Sequence, residues 1–222
     1  MRKFTAVIAA LLAVSFLLAG CGKEKPNIND APGVDLPEGY DEPGTQEFAS
    51  LSEALNTLAD PDANTFVRKT TTAEAFVNTL QNGNGGALRL STAETGDAVI
   101  PAGDYSKTAV VFNAPNMGVS SDAALGDVLV EAVGEAGVTL HAGVKSLTVT
   151  GENVTVTLEG GAEHIYVQGK NCTLRLENGS FGSILSVNQT VTIENNTEAD
   201  VTVYMANGAA QTLAAGKTLS FE

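Results

Sequence analysis

From Ala87 to its end, the chain consists of short runs in which apolar and polar residues alternate, and glycine or asparagine separates the runs. Clear examples are SLTVT at 146–150, NVTVTL at 153–158 and CTLRL at 172–176. Alternation with period two is typical of strands that bury one face and expose the other. The pattern predicts that almost everything after residue 86 is β-strand.

The strands also recur at a regular interval. Their predicted starts form two interleaved series, near Val138, Val154, Cys172, Val191 and Gln211, and near Leu147, His164, Ile184, Val201 and Thr218. Within each series the period is about 16 to 21 residues, which indicates one supersecondary unit stacked repeatedly. The chain is therefore expected to form a repetitive, elongated core.

This second half resembles the right-handed parallel β-helix family, which includes pectate lyases, polygalacturonases and many bacterial surface proteins. The resemblance extends over residues 71–222 and rests on the period, the Asn and Gly corners and the threonine-rich outward positions. It implies a mainly β fold, a small right-handed parallel β-helix or solenoid capped by short N-terminal helices. An antiparallel β-sandwich is the alternative, because Asn178-Gly179 and Asn207-Gly208 also suit two-residue hairpins.

The alternation assigns each residue to one side of its strand. The inward ladders are Val154/Val156/Leu158, Ile165/Val167, Cys172/Leu174/Leu176, Val191/Ile193 and Val201/Val203/Met205. The outward positions are Thr148, Thr150, Thr155, Thr157, Glu159, His164, Tyr166, Thr173, Arg175, Glu177, Thr192, Glu194, Thr202 and Tyr204. Cys172 is thereby predicted to be a buried core residue.

Two short helices are predicted before the strands, each beginning with a capping box. The first box is Ser50-x-x-Glu53, followed by Leu51, Leu55 and Leu58 on one face; the second is Thr71-x-x-Glu74, and its helix ends at Asn82-Gly83. The predicted organisation is a signal peptide at 1–20, a lipidated cysteine and disordered acidic tether at 21–47, a helical cap segment at 48–86 and a β-solenoid domain at 87–222.

The first 21 residues carry a targeting signal. Arg2 and Lys3 precede an apolar run from Phe4 to Leu18, which is too short to span a bilayer. The segment ends in Leu18-Ala19-Gly20-Cys21, which resembles the cleavage box of bacterial lipoproteins. That resemblance implies cleavage before Cys21, attachment of fatty acyl chains such as palmitate there, and anchoring on the extracytoplasmic face of the cell membrane.

The charge of the chain limits its partners. Twelve Lys and Arg residues against 26 Asp and Glu residues give a net charge of −14, and the basic residues are scattered. Binding to nucleic acid requires a basic stripe, so no nucleic-acid partner is expected. The absence of tryptophan and the 5% aromatic content weaken the case for an aromatic platform that stacks on sugars.

No constellation of catalytic or metal-ligating residues is evident, and no cofactor is predicted. Asp60, Asp62 and Asn64 have the first spacings of a calcium loop, but its required Gly and final Glu are missing. His141 and His164 could lie one coil apart, yet two histidines alone make a weak metal site. Arg175 between Glu159 and Glu177 is the nearest approach to an enzyme-like cluster, and we interpret it as an exposed ion pair.

These features predict a lipid-anchored surface protein that acts as a non-enzymatic adhesion module and binds a glycan or another protein. The candidate binding residues are Thr155, Thr157, His164, Tyr166, Arg175 and Tyr204. The alternatives are a carbohydrate-active β-helix enzyme, either a polysaccharide lyase or a hydrolase, and a passive structural lipoprotein of the envelope.

Overall fold

The computed structural model describes residues 67–83, 86–186, 190–205 and 209–221. The predictions for Cys21, for the helix that begins with the Ser50-x-x-Glu53 box and for Asp60, Asp62 and Asn64 lie outside these residues. The signal peptide and the tether therefore stay predictions.

Parallel strands stacked in two sheets form a β-solenoid of about seven turns. The ten-stranded sheet, here the large sheet, contains β1 (Val67–Thr70), β2 (Gly86–Ser91), β4 (Asp104–Tyr105), β5 (Thr108–Ala114), β7 (Ala124–Val133), β9 (Val144–Val149), β11 (Ala162–Val167), β13 (Phe181–Ser186), β15 (Val201–Met205) and β16 (Ala210–Leu213). The seven-stranded sheet, here the small sheet, contains β3 (Gly96–Ile100), β6 (Met117–Ser121), β8 (Val138–Leu140), β10 (Thr155–Leu158), β12 (Thr173–Leu176), β14 (Thr192–Asn195) and β17 (Lys217–Ser220).

Successive strands of the central turns alternate between the two sheets, so each strand pairs with the strand one turn away along the chain. β8, β10 and β12 pair in parallel in the small sheet, and β9, β11 and β13 do so in the large sheet. This parallel pairing confirms the solenoid and excludes the antiparallel sandwich. The right-handed sense of the coil stays a prediction.

The solenoid ends in antiparallel strands. β16 pairs antiparallel with β15, and β17 pairs antiparallel with β14. A hairpin therefore follows β15, which is where Asn207-Gly208 suggested one, although these two residues lie outside the described ranges. By contrast, Gly179 has φ +98° in the connection between β12 and β13, so Asn178-Gly179 turns the chain from one sheet to the other.

The predicted second helix forms α1 (Ala73–Asn82), which packs against β1, β2 and β3 at the start of the solenoid. Its N-cap is Thr72, one residue later than predicted, and the Thr72 side chain accepts a hydrogen bond from the Ala75 amide. Within the described ranges, no helix has the length and apolar character needed to cross a membrane. β1 lies inside the segment predicted as helical, so the sheet begins before residue 87.

Inward side chains from both sheets meet in one core. All the predicted inward ladders are buried except for Met205, which is half-buried. Cys172 is 3% exposed and its Sγ donates to the Gly151 carbonyl at 3.1 Å, which confirms its place in the core. Burial raises the pKa of the Cys172 thiol.

Candidate functional site

The outward side of the small sheet carries rows of polar side chains, one from each turn. One row contains Ser120, Thr139, Thr157, Arg175 and Glu194, and a second contains Thr155, Thr173, Thr192 and Ser220. Parallel register places equivalent residues directly over one another, about 4.8 Å apart from strand to strand. We call these two rows, together with the corner row below, the polar face.

The corner row lies immediately after the small-sheet strands. It contains Asp122, His141, Glu159, Glu177 and Asn196, each of which follows the last residue of its strand. His141 Nδ1 lies 2.8 Å from Glu159 Oε2, and His141 Nε2 lies 4.0 Å from Asp122 Oδ1. Farther along, Asn196 Nδ2 donates to Glu177 Oε1 at 2.9 Å. The row thus contains two sets of contacts between neighbouring turns, one that joins Asp122, His141 and Glu159 and one that joins Glu177 and Asn196.

Acidic neighbours set the charge of His141. The hydrogen bond to Glu159 raises the pKa of His141 above 6.5, and the charges of Glu159 and Asp122 act in the same direction. Partial burial of the imidazole acts in the opposite direction and lowers the pKa of His141. Protonated His141 would place a cation between the carboxylates of Glu159 and Asp122.

Replacing Glu159 by glutamine is expected to lower the pKa of His141, because the hydrogen bond that favours its charged form is weakened. NMR titration of the imidazole measures this change. Because the folded pKa is raised, the pair stabilises the fold fully below the unfolded value of 6.5 and loses that effect as pH rises through the folded value. The wild-type advantage in stability should therefore shrink as the pH rises from 6.5 through the raised pKa of His141.

Glu177→Gln is the matched control, because Glu177 lies in the same row but contacts Asn196. It should leave the pKa of His141 close to that of the wild type. Equal effects of the two substitutions would show that the general negative field, and not the Glu159 contact, sets the charge of His141.

Arg175 is confirmed as one half of an exposed ion pair, but its partner differs from the two acids flanking it in the prediction. Its Nε donates to Glu194 Oε2 at 2.9 Å, across to the next turn. Arg175 and Glu194 face each other in the register of β12 and β14. An exposed pair of this kind contributes at most about 1 kcal/mol to stability.

The six candidate binding residues divide between two faces. Thr155, Thr157 and Arg175 lie on the polar face, whereas His164, Tyr166 and Tyr204 lie on the outward side of the large sheet. His164 is 9% exposed, Tyr166 is 0% exposed and Tyr204 is half-buried. The expectation of open outward side chains is therefore wrong for Tyr166 and His164, and Thr148 is fully buried as well. Burial raises the pKa of Tyr166 to about 12.

Asp127, Ser146 and His164 occupy successive register positions on the large sheet. Ser146 Oγ donates to Asp127 Oδ1 at 2.5 Å, so the serine lies between the acid and the imidazole. In a catalytic triad the imidazole lies between the acid and the nucleophile. The order found here does not support nucleophilic catalysis.

The two histidines do not form a shared site, since His141 follows a small-sheet strand and His164 lies in a large-sheet strand. Among the described residues, no group of three or more His, Cys, Asp or Glu side chains could hold a metal ion. A shallow groove of about 530 Å³ runs past Gly143, Gly160, Gly161, Glu163 and His164. Its lining is largely backbone, so it offers few converging side chains for a specific ligand.

Comparison of the chain with protein-family models, with curated proteins and with solved structures finds no match. The assignment to the β-solenoid architecture therefore rests on the strand pairing described above.

The corner row was not predicted from the sequence. A signal for it exists, because His141, Glu159 and Glu177 each come directly after the last inward leucine of a strand. Alignment of the strands on those leucines, Leu140, Leu158 and Leu176, would have stacked the three polar residues. The prediction instead emphasised positions within the strands.

Proposed function

We propose that this protein is a lipid-anchored, extracytoplasmic binding module without enzymatic activity, and that its polar face binds a neutral glycan. The observation that carries this proposal is the in-register stacking of hydroxyl, carboxylate, amide and imidazole groups on six consecutive small-sheet strands. A polysaccharide also presents hydroxyl groups at regular intervals, so an extended array of donors and acceptors is complementary to it. The lipid anchor rests on the Leu18-Ala19-Gly20-Cys21 box.

Charge favours a neutral ligand over an anionic one. The chain carries a net charge of −14, and the corner row adds Asp122, Glu159 and Glu177 to this face. Anionic polymers would be repelled, and a neutral glycan would not be. Exposed hydroxyl groups form many individually weak hydrogen bonds, each contributing about 1 kcal/mol, so the affinity is expected to come from several turns together.

A carbohydrate-active enzyme is the second candidate, because the corner row places Glu159 and Glu177 on adjacent turns. Paired carboxylates are the groups that glycoside hydrolysis requires. Both acids, however, already contact a neighbour, and they lie on an open face instead of in a cleft. We therefore propose binding without turnover.

The test is a glycan-array measurement on the whole protein, extracted with detergent from the membrane fraction. The double variant Thr157→Ala/Arg175→Ala should bind about tenfold more weakly or worse, which corresponds to about 1.4 kcal/mol. The control is Thr202→Ala/Lys145→Ala, which removes the same classes of exposed side chain from the large sheet. It should retain wild-type affinity.

Four results would contradict the proposal. Release of reducing or unsaturated sugar ends would establish the enzyme. Equal losses of glycan affinity in both double variants would show that the polar face is not the binding site. Absence of binding to every glycan would leave a protein partner or a structural role, and absence of the protein from the membrane fraction would contradict the lipid anchor.

A further inference from the structure

His141 lies between polar groups of the two neighbouring turns. Its Nδ1 lies 2.8 Å from Glu159 Oε2 on the following turn, and its Nε2 lies 3.2 Å from Ser120 Oγ on the preceding turn. Asp122 Oδ1, also on the preceding turn, lies 4.0 Å from Nε2, which is beyond hydrogen-bond distance. Among the described residues, Asp122 and Glu159 are the charged groups that act on the imidazole. The ring therefore connects three consecutive turns of the polar face.

The contact with Glu159 determines which ring nitrogen carries a hydrogen. A carboxylate only accepts hydrogen bonds, so this contact requires a hydrogen on Nδ1 in both charge states of the ring. Nε2 then carries a hydrogen only when the imidazole is protonated. The charge state of His141 consequently changes the contact with Ser120 and leaves the contact with Glu159 in place.

The hydrogen bond between Ser120 and His141 reverses its direction on protonation. Neutral His141 accepts at Nε2, so the Ser120 hydroxyl donates to the ring and offers only lone pairs to other groups. Protonated His141 donates from Nε2 to Ser120 Oγ, and the hydroxyl hydrogen can then turn toward another acceptor. Ser120 is half-buried and stands in register with Thr139 and Thr157 on the polar face, so this hydrogen is accessible to a ligand there.

A donor matters at this position because carboxylates give the polar face an excess of acceptors. Glu159, Glu177 and Glu194 are acceptor groups, and Arg175 already donates to Glu194. The ring and glycosidic oxygens of a glycan, and the carbonyl of an N-acetyl group, accept hydrogen bonds but cannot donate them. The hydroxyl hydrogen of Ser120 would therefore complement groups of the glycan that the carboxylates cannot bind.

We propose that His141 is a proton-operated switch of the polar face, whose protonation turns Ser120 into a donor toward the ligand and so strengthens the binding of a neutral glycan. The switch rests on the proposed function, since it regulates the same site. The Glu159 hydrogen bond raises the pKa of His141 above 6.5, so the tightly binding form predominates at pH 6.5 and declines as the pH rises through the raised value. By reciprocity, a bound glycan raises the pKa of His141 further.

NMR of the imidazole nitrogens tests the hydrogen positions without a ligand. The whole protein, labelled at its two histidines, is titrated, and the variant His141→Gln identifies the signals of His141 by their loss. Above its pKa, the neutral ring should carry its hydrogen on Nδ1. A hydrogen on Nε2 in the neutral ring would overturn the proposal, because Ser120 could not then donate to that nitrogen.

Binding is measured on the whole protein with cellohexaose, maltohexaose and the hexamer of N-acetylglucosamine, which carry no titrating group. Each probe is used at one pH below the measured pKa of His141 and at one pH above it. A probe that binds should bind about fivefold more tightly at the lower pH, which is the effect of one added hydrogen bond. The same probe at saturation should raise the pKa of His141.

Ser120→Ala is the decisive variant, because it removes the hydroxyl and leaves His141 able to titrate. It should bind the probe equally at the two pH values. Thr139→Ala is the matched control, since it removes a hydroxyl from the same row one turn farther along. It should bind more weakly than the wild type but keep the fivefold ratio. If Ser120→Ala also kept that ratio, the charge of His141 and not the Ser120 hydroxyl would control binding, and the proposal would be overturned.

The wild type alone separates this proposal from the proposed function. Binding of a probe with equal affinity at the two pH values would overturn the switch and support the binding function. Absence of binding to every probe at both pH values would overturn the switch together with the binding function on which it rests.

Discussion

Replacing Phe112 with alanine is expected to lower the free energy of unfolding by about 3–5 kcal/mol. Phe112 is fully buried in β5, and its ring lies 5.7 Å from that of Phe76 in α1 at an interplanar angle of 55°. The substitution leaves a cavity and removes an aromatic contact that contributes about 0.5–1.5 kcal/mol. Chemical denaturation, followed by circular dichroism, measures the change.

Val99→Ala is the matched control for Phe112→Ala. Val99 is also an apolar residue in a strand, but it is 58% exposed. Its truncation should change stability by no more than about 0.5 kcal/mol. A small effect at Phe112 would mean that α1 and the first turns of the solenoid do not share a packed core.

Gly160→Ala is expected to destabilise the protein by about 3 kcal/mol or more, although Gly160 lies on the surface. A Cβ at this position would overlap the backbone of Ala142 and Gly143 on the preceding turn. Backbone atoms cannot rotate away as a side chain can, so the two turns would have to separate. Thermal unfolding and chemical denaturation both report this loss.

The control for Gly160→Ala is Gly143→Ala, at the same corner one turn earlier. A Cβ on Gly143 would lie 3.1 Å from the Gly160 carbonyl oxygen, a contact that a small shift relieves. Its cost should stay near or below about 1 kcal/mol. If both substitutions were equally mild, the turns would be less tightly stacked at this corner than the structure describes.

Binding should respond to these two large effects only through folding. Phe112 lies in the core, and Gly160 lies next to the corner row but contributes no side chain to it. At temperatures where the variants remain folded, the glycan affinity of Phe112→Ala should match that of the wild type. This comparison distinguishes a loss of binding caused by unfolding from one caused by a change in the polar face.

Local pattern predicted much of the fold because strand alternation and turn residues act within a few positions. Val154, Val156 and Leu158 alternate with polar residues, and they are buried as expected. The helix at Ala73–Asn82 also follows from local signals, namely a threonine cap and a terminal glycine. These features depend on short-range geometry that the sequence contains.

The solvent exposure of a strand side chain was harder to predict than the side of the sheet on which it lies. Tyr166 points away from the core as the alternation indicated, yet it is 0% exposed. Period two determines the side of a strand on which a residue lies, but it carries no information about what covers that side. The candidate site changed for this reason, since Tyr166 and His164 are buried and the polar face remains.

Side-chain contacts between residues far apart in the sequence could not be predicted from the alternation of apolar and polar residues. A register shift between β5 and β7 leaves Glu131 opposite no residue, and its carboxylate accepts two hydrogen bonds from Arg89 and one from Asn113. Similarly, Asn195 occupies an inward position at the end of β14 and is 0% exposed. Its amide donates to the carbonyls of Ala199 and Leu213, which satisfies the buried polar group.

The amino-acid pattern alone was enough to predict short strands with one apolar side, repeated at a near-constant period and preceded by a capped helix. These features could be predicted because alternation, capping and turn formation are local. The parallel pairing of the strands, the contacts within the corner row and the burial of Tyr166 on the outward side of the large sheet became evident in the tertiary structure. Those outcomes depend on which turn lies against which, and that is fixed by contacts between residues about 18 or more positions apart.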